Sequence, residues 1–263
     1  MKKCYLHIGN FKTGSTSLQA FFYLNKKIFK NFNFQFIEEK NFFKETIHNQ
    51  NLFKFFDKKE IKKIRKYFFI KKTKSNLILS SEFFSCFSYN LEKIEYLKKT
   101  ILKLGYKPII IFYYRSDYSY LYSLYAQQLT QKKNIEIESV FEFCKKVKKF
   151  HYYRNKKNRF YFMNQNYNLN NLRIVTNWRK VFKKDFFVLK FDKKNDDKIF
   201  YDFLKIIKIK SLSKFSLPIK KNVSRKLKPW NLKRIFYFYF LGYMQKKLFK
   251  KNELNIEFKK KGQ

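Results

Sequence analysis

The 263 residues suit one large domain or two small ones, and because no Pro/Gly/Ser-rich linker divides them a single domain over 1–263 is expected. Lys and Arg total 61 against 19 Asp and Glu, a formal charge of +42 that would suggest disorder, but 35 Phe, 20 Tyr and 2 Trp supply enough rings for a sizeable core. An unfolded basic tail is thereby excluded; the charge first suggests a nucleic-acid binder, but no specific nucleic-acid partner is expected. The basic residues are nearly all Lys and are scattered from Lys2 to Lys261, as a solvated surface or drift towards AT-rich codons would leave them.

The start, Met1-Lys2-Lys3, has the charge of a secretory leader, but His7, Gly9 and Asn10 break the apolar run that follows, so no leader is expected. The longest apolar stretch, residues 235–244, is about half of the ~20 residues that a membrane-spanning helix needs. Cys4, Cys86 and Cys144 form no CxxC pair, and His7, His48 and His151 show no i, i+4 spacing, so neither a disulfide framework nor a metal site is expected. These features point to a cytoplasmic protein.

In chain order, residues 4–8 read as a buried strand entering the loop Gly9-Asn10-Phe11-Lys12-Thr13-Gly14-Ser15. Leu18, Phe21, Phe22 and Ile28 then have helical spacing. A charged helical stretch over 57–67 precedes a second strand, 77–80, which closes on Ser81-Glu82. Leu91, Ile94, Leu97, Ile101 and Leu104 mark a helix ending at Gly105. Pro108 opens a third strand, 109–114, apolar throughout and ending in Arg115, with Asp117 placed to cap the next helix. Residues 152–171 read as a loop-rich insertion, 178–182 as helix, 186–191 as a fourth strand, 199–207 as helix and 230–249 as a final helix. Strands alternating with helices predict an α/β, three-layer P-loop-type fold: a central parallel sheet flanked by helices. Binding then belongs at the carboxyl ends of the strands, where Lys12, Glu82 and Arg115 fall.

Gly9-x4-Gly14-Ser15-Thr16 has the glycine spacing of a phosphate loop. A nucleoside triphosphatase would carry Lys directly after the second glycine; here Ser15 occupies that place and Lys12 precedes it by three positions. Neither inner strand ends in a magnesium-holding Asp. A kinase or ATPase is disfavoured.

The segment 6–19, Leu-His-Ile-Gly-Asn-Phe-Lys-Thr-Gly-Ser-Thr-Ser-Leu-Gln, resembles the nucleotide loop of bacterial sulfotransferases, LHIGxxKTGTTSLQ, with Ser15 replacing Thr. The strand ending in Arg115, with Ser123 eight residues later, resembles the family's second motif. The likeness covers the first 130 residues well and the rest as scattered matches, among them 178–182 and the Asn222-x-Ser224 pattern. It implies a cofactor-binding core over 1–131 and acceptor-side helices, a fourth strand and a C-terminal helix over 132–263. The implied reaction moves a sulfuryl group from 3′-phosphoadenosine 5′-phosphosulfate (PAPS) to a hydroxyl or amine, such as that of a glycan or glycolipid precursor, without a metal.

By the same resemblance, Lys12, Thr13, Gly14, Ser15, Thr16 and Ser17 hold the 5′-phosphosulfate, with Lys12 near the bridging oxygen on which charge builds. Arg115 and Ser123 grip the 3′-phosphate. The acceptor hydroxyl needs a general base, for which Glu82 and His48 are the candidates. Glu82 lies at the end of a strand expected beside the loop, in a segment resembling the family's SSE stretch, and partial burial would raise its pKa. His7 is expected to be a packed strand residue. The alternative is a basic nucleic-acid or membrane-surface binding protein with a degenerate phosphate loop. It is motivated by residues 236–240, aromatic throughout and flanked by lysines, which could touch an anionic membrane at its inner face.

Overall fold

The computed structural model describes residues 1–9, 13–37, 49–69, 75–115, 171–192, 195, 197–210 and 212–218. Five strands, β1 (Lys2–His7), β2 (Phe34–Phe36), β3 (Asn76–Ser80), β4 (Tyr106–Tyr114) and β5 (Phe186–Lys190), form one sheet in the order β2-β3-β1-β4-β5. Every pairing is parallel. Seven helices are described around it: α1 (Ser15–Leu24), α2 (Lys26–Asn31), α3 (Gln50–Asp57), α4 (Ile61–Phe69), α5 (Leu91–Lys103), α6 (Asn171–Phe182) and α7 (Lys198–Ile206).

Alternation of side chains along each strand divides the core in two. Cys4, Leu6, Leu77, Leu79, Ile110 and Phe112 pack with residues of α3, α4, α5 and α6 on one face. Tyr5, Ile78, Ile109, Ile111 and Tyr113 pack with α1, α2 and α7 on the other. A sheet covered on both faces needs apolar residues at successive positions, which is why 109–113 lacks the alternation of a half-exposed strand. The expected three-layer α/β architecture is the one observed.

Some elements differ from the expectation. Helix 57–67 is two helices: α3 ends at Asp57 and α4 begins at Ile61, with Lys59 between them at φ 56°. The run from Leu18 to Ile28 likewise divides, because Asn25 ends α1 and turns its amide to Phe21 O and Ser216 O, both at 2.8 Å. Strand β2 was not anticipated; it is three residues long and becomes a strand only by pairing Phe34 with Asn76. The strand over 186–190 is therefore the fifth. After Ser81 the chain forms a 3-10 helix, Glu82–Tyr89, which was also not foreseen.

The third expected strand begins earlier, at Tyr106, and runs through Pro108. Ile111 O accepts from Ile8 N–H at 2.9 Å, so odd-numbered residues of β4 face β1 and Pro108 faces β5. Strand β5 starts pairing only at Ile110, so no ladder bond is lost at the proline. Among the described residues no helix is long and apolar enough to cross a membrane.

Candidate anion-binding site

Strand β1 lies between β3 and β4, so the chain leaves the sheet at Gly9 flanked by Ser81-Glu82 on one side and Arg115 on the other. Both neighbours hold this exit: Ile8 N–H donates to Ile111 O at 2.9 Å and Ser81 N–H to His7 O at 3.0 Å. The position of Glu82 one strand from the loop is the expected one.

The loop returns at Thr13, which is fully buried. Gly14 follows as the N-cap of α1 with φ 77° and ψ 11°, a left-handed conformation that disfavours any Cβ. Space forbids one as well, because a Cβ would lie 2.6 Å from Phe191 Cε2 and 3.1 Å from Ile199 Cδ1. No side chain caps α1 at Gly14 and its first turn holds no acidic residue, which leaves the positive end of the helix dipole to other anions. Ser15 is buried, with Oγ 3.5 Å from Thr13 Oγ1. Thr16 is exposed and Ser17 half-buried, so the candidate hydroxyls divide between the helix interior and its surface. Rings behind the loop fix α1: Phe21 stacks on Phe200 of α7 at 4.7 Å, and Phe22 lies 4.6 Å from Phe203.

Arg115 is only 8 % exposed and begins beyond the last residue of β4. Its guanidinium carbon lies 5.9 Å from the Phe191 ring centroid, and its carbonyl accepts from Asn171 Nδ2 at 3.1 Å, at the start of α6. Phe191, just past β5, is anchored by its N–H on Tyr114 O at 2.7 Å. One aromatic ring thus meets both the glycine that ends the loop and the arginine that ends β4. Spacing in the sequence marks Phe191 only as the last residue of an expected strand and gives no signal of this meeting.

Glu82 is 8 % exposed, in the first turn of the 3-10 helix. That helix is held from α6, where Trp178 Nε1 donates to Ser88 Oγ at 2.9 Å and Asn177 Nδ2 to Ser88 O at 2.7 Å. Asn49 fixes the preceding strand end, accepting from Ser80 N–H at 2.6 Å and donating its N–H to Ser80 O at 2.9 Å and its amide to Ile37 O at 2.8 Å.

His7 is indeed a packed strand residue, but it is polar in its contacts: Nδ1 lies 2.8 Å from Ser80 Oγ, which also accepts from Gln19 Nε2 at 3.2 Å. Burial lowers its pKa to about 3, so the ring is neutral at physiological pH. Lys12, Ser123, His48, Asn222, Ser224, Cys144, His151 and the segment 230–251 lie outside the described residues. Cys4 and Cys86 are free thiols, and the described residues contain no group of three or more His, Cys, Asp or Glu that could hold a metal ion.

No protein-family model matches the chain, and no curated protein sequence does. Among solved structures it is similar to one titled as a sulfotransferase from Alicyclobacillus acidocaldarius, at 12% identity over 94% of this chain and 96% of that one, with a TM-score of 0.49.

Proposed function

We propose that this protein is a PAPS-dependent sulfotransferase that transfers a sulfuryl group to a hydroxyl or amine. The observation that carries the reading is the pairing of Gly14 and Arg115 across the ring of Phe191. A loop end without room for a Cβ and a nearly buried arginine stand together at the carboxyl edge of a parallel sheet. A ligand with anions at both ends suits that pairing, and the Lys12-Thr13-Gly14-Ser15 motif suits a phosphosulfate.

In this mechanism the acceptor hydroxyl attacks sulfur in line as the bond from sulfur to the bridging oxygen breaks. The sulfuryl group joins the acceptor oxygen and 3′-phosphoadenosine 5′-phosphate departs. Lys12 stabilises the charge that develops on the bridging oxygen. Glu82 removes the acceptor proton, with His48 as the competing base. Thr13 to Ser17 hold the 5′ end, and Arg115 with Ser123 selects the 3′-phosphate that ATP lacks. A glycan or glycolipid precursor is the proposed acceptor class, reached from the cytoplasm or from the inner face of an anionic membrane.

Calorimetry tests the reading: 3′-phosphoadenosine 5′-phosphate should bind more tightly than AMP, and Arg115→Ala should erase the difference. Equal affinity for the two nucleotides in the unaltered protein would refute it. Lys12→Ala should abolish transfer and leave the thermal transition in place.

A further inference from the structure

His7 presents a buried nitrogen that the fold itself does not use. The side chain is fully buried, and among the described residues its Nε2 has no hydrogen-bond partner. The opposite nitrogen sets the tautomer. Ser80 Oγ already accepts from Gln19 Nε2, so its own proton is best placed on Nδ1 of His7, and the imidazole proton then resides on Nε2. A neutral N–H donor is therefore buried without an acceptor among the described residues, an arrangement that folded proteins avoid because the lost hydration is not replaced.

That nitrogen lies at the start of the phosphate loop, against Gly9. A Cβ added at Gly9 would lie 2.5 Å from His7 Nε2 and 3.1 Å from Thr13 Oγ1, so the nitrogen stands against the first glycine of the loop, at a space that the Thr13 hydroxyl also borders. Gly9 is thus required for the room it leaves to the imidazole, and its φ is not in the left-handed range. Tyr113 holds the other side of the ring edge-on at 5.7 Å. An apolar side chain would fill this space without burying a donor, as Leu6 and Ile8 do beside it.

We propose that His7 is an anion-binding residue: its Nε2–H donates, directly or through one ordered water, to the anionic group held in the phosphate loop. The assignment of that group as a phosphosulfate rests on the function proposed above; the donor's role towards an anion does not.

The test uses the full chain with 15N-labelled histidine, in which the signals of His7 are identified among three by their loss in His7→Phe. The ring should show the Nε2–H tautomer and stay neutral between pH 8 and 5. Saturating 3′-phosphoadenosine 5′-phosphate should shift the Nε2–H resonance; an unmoved resonance in the bound protein overturns the proposal without any variant. His7→Phe keeps the ring and removes the donor. It should weaken 3′-phosphoadenosine 5′-phosphate and AMP by the same factor, about tenfold or more for a lost bond to a charged group. His7→Gln, whose amide reaches towards the Nε2 position, should retain much of the affinity, whereas His7→Asn, which reaches only towards Ser80, should behave as Phe does. Wild-type affinity in His7→Phe overturns the proposal. If the chain binds neither nucleotide but binds inorganic pyrophosphate in a His7-dependent way, the sulfotransferase reading falls and this one stands.

Discussion

At the scale of single residues the two positive-φ glycines form an internal control. Gly105 follows α5 at φ 86°, its N–H donating to Leu102 O at 2.9 Å, and a Cβ there would meet nothing within 4 Å. Gly14 has a similar φ, but its Cβ would collide with Phe191. Gly105→Ala should therefore cost only the left-handed strain, about 1–2 kcal/mol, and leave nucleotide binding alone. Gly14→Ala should cost more and also remove binding, because Phe191 must move away from Arg115. Urea unfolding and calorimetry on the two variants check this; equal losses of stability would show that Phe191 yields freely. Gly14 was legible in the sequence because glycine spacing is a local signal. The role of Phe191 was not, since it depends on β5 lying beside β4, which local spacing does not encode.

The elements that hold the site were legible in proportion to how far their own residues determined them. Helix α5 is legible almost to the residue, because five apolar positions and a terminal glycine act locally; the Asn90 side chain, accepting from Lys93 N–H at 3.1 Å, adds a cap that the expectation did not include. Strands β1, β3 and β4 were legible as apolar runs. Strand β2 and the 3-10 helix were not, since the first is defined by its partner and the second by its packing under α6. Asn49 belongs to this non-local class. It imitates a strand residue, bonding both backbone groups of Ser80 and also Ile37 O, and so closes the gap between the ends of β2 and β3 beside Glu82. Replacing it by Ala strands the buried Ser80 N–H. We expect a loss of about 2–4 kcal/mol and, in hydrogen exchange, faster exchange at the Ser80 amide than at β4 amides. Uniform acceleration across the sheet would mean that Asn49 supports the whole fold rather than this strand end.

At the scale of the whole molecule, 19 acidic residues cannot pair one to one with 61 basic ones, so at least 42 cations have no acidic partner of their own whatever the geometry. Pairs such as Lys107 with Asp185 at 2.9 Å are partly exposed and contribute little. Two consequences of the excess have opposite signs in salt. Self-repulsion among the surplus lysines opposes the compact state, and screening relieves it. The same field would draw the proposed anionic nucleotide towards the sheet edge, and screening would weaken that attraction. Raising NaCl from about 0.05 to 0.5 M shortens the Debye length from roughly 14 to 4 Å. It should therefore raise the melting temperature while lowering the association rate of 3′-phosphoadenosine 5′-phosphate in stopped flow. The dissociation rate should change much less, because the contacts proposed for Gly14, Arg115 and His7 act over short distances that salt barely screens. An association rate indifferent to salt would mean that the surplus charge cancels at the site and that only the contact residues matter for capture. A melting temperature that fell with salt would instead place the stability of the fold in its ion pairs, against the pairing limit set by 19 acids.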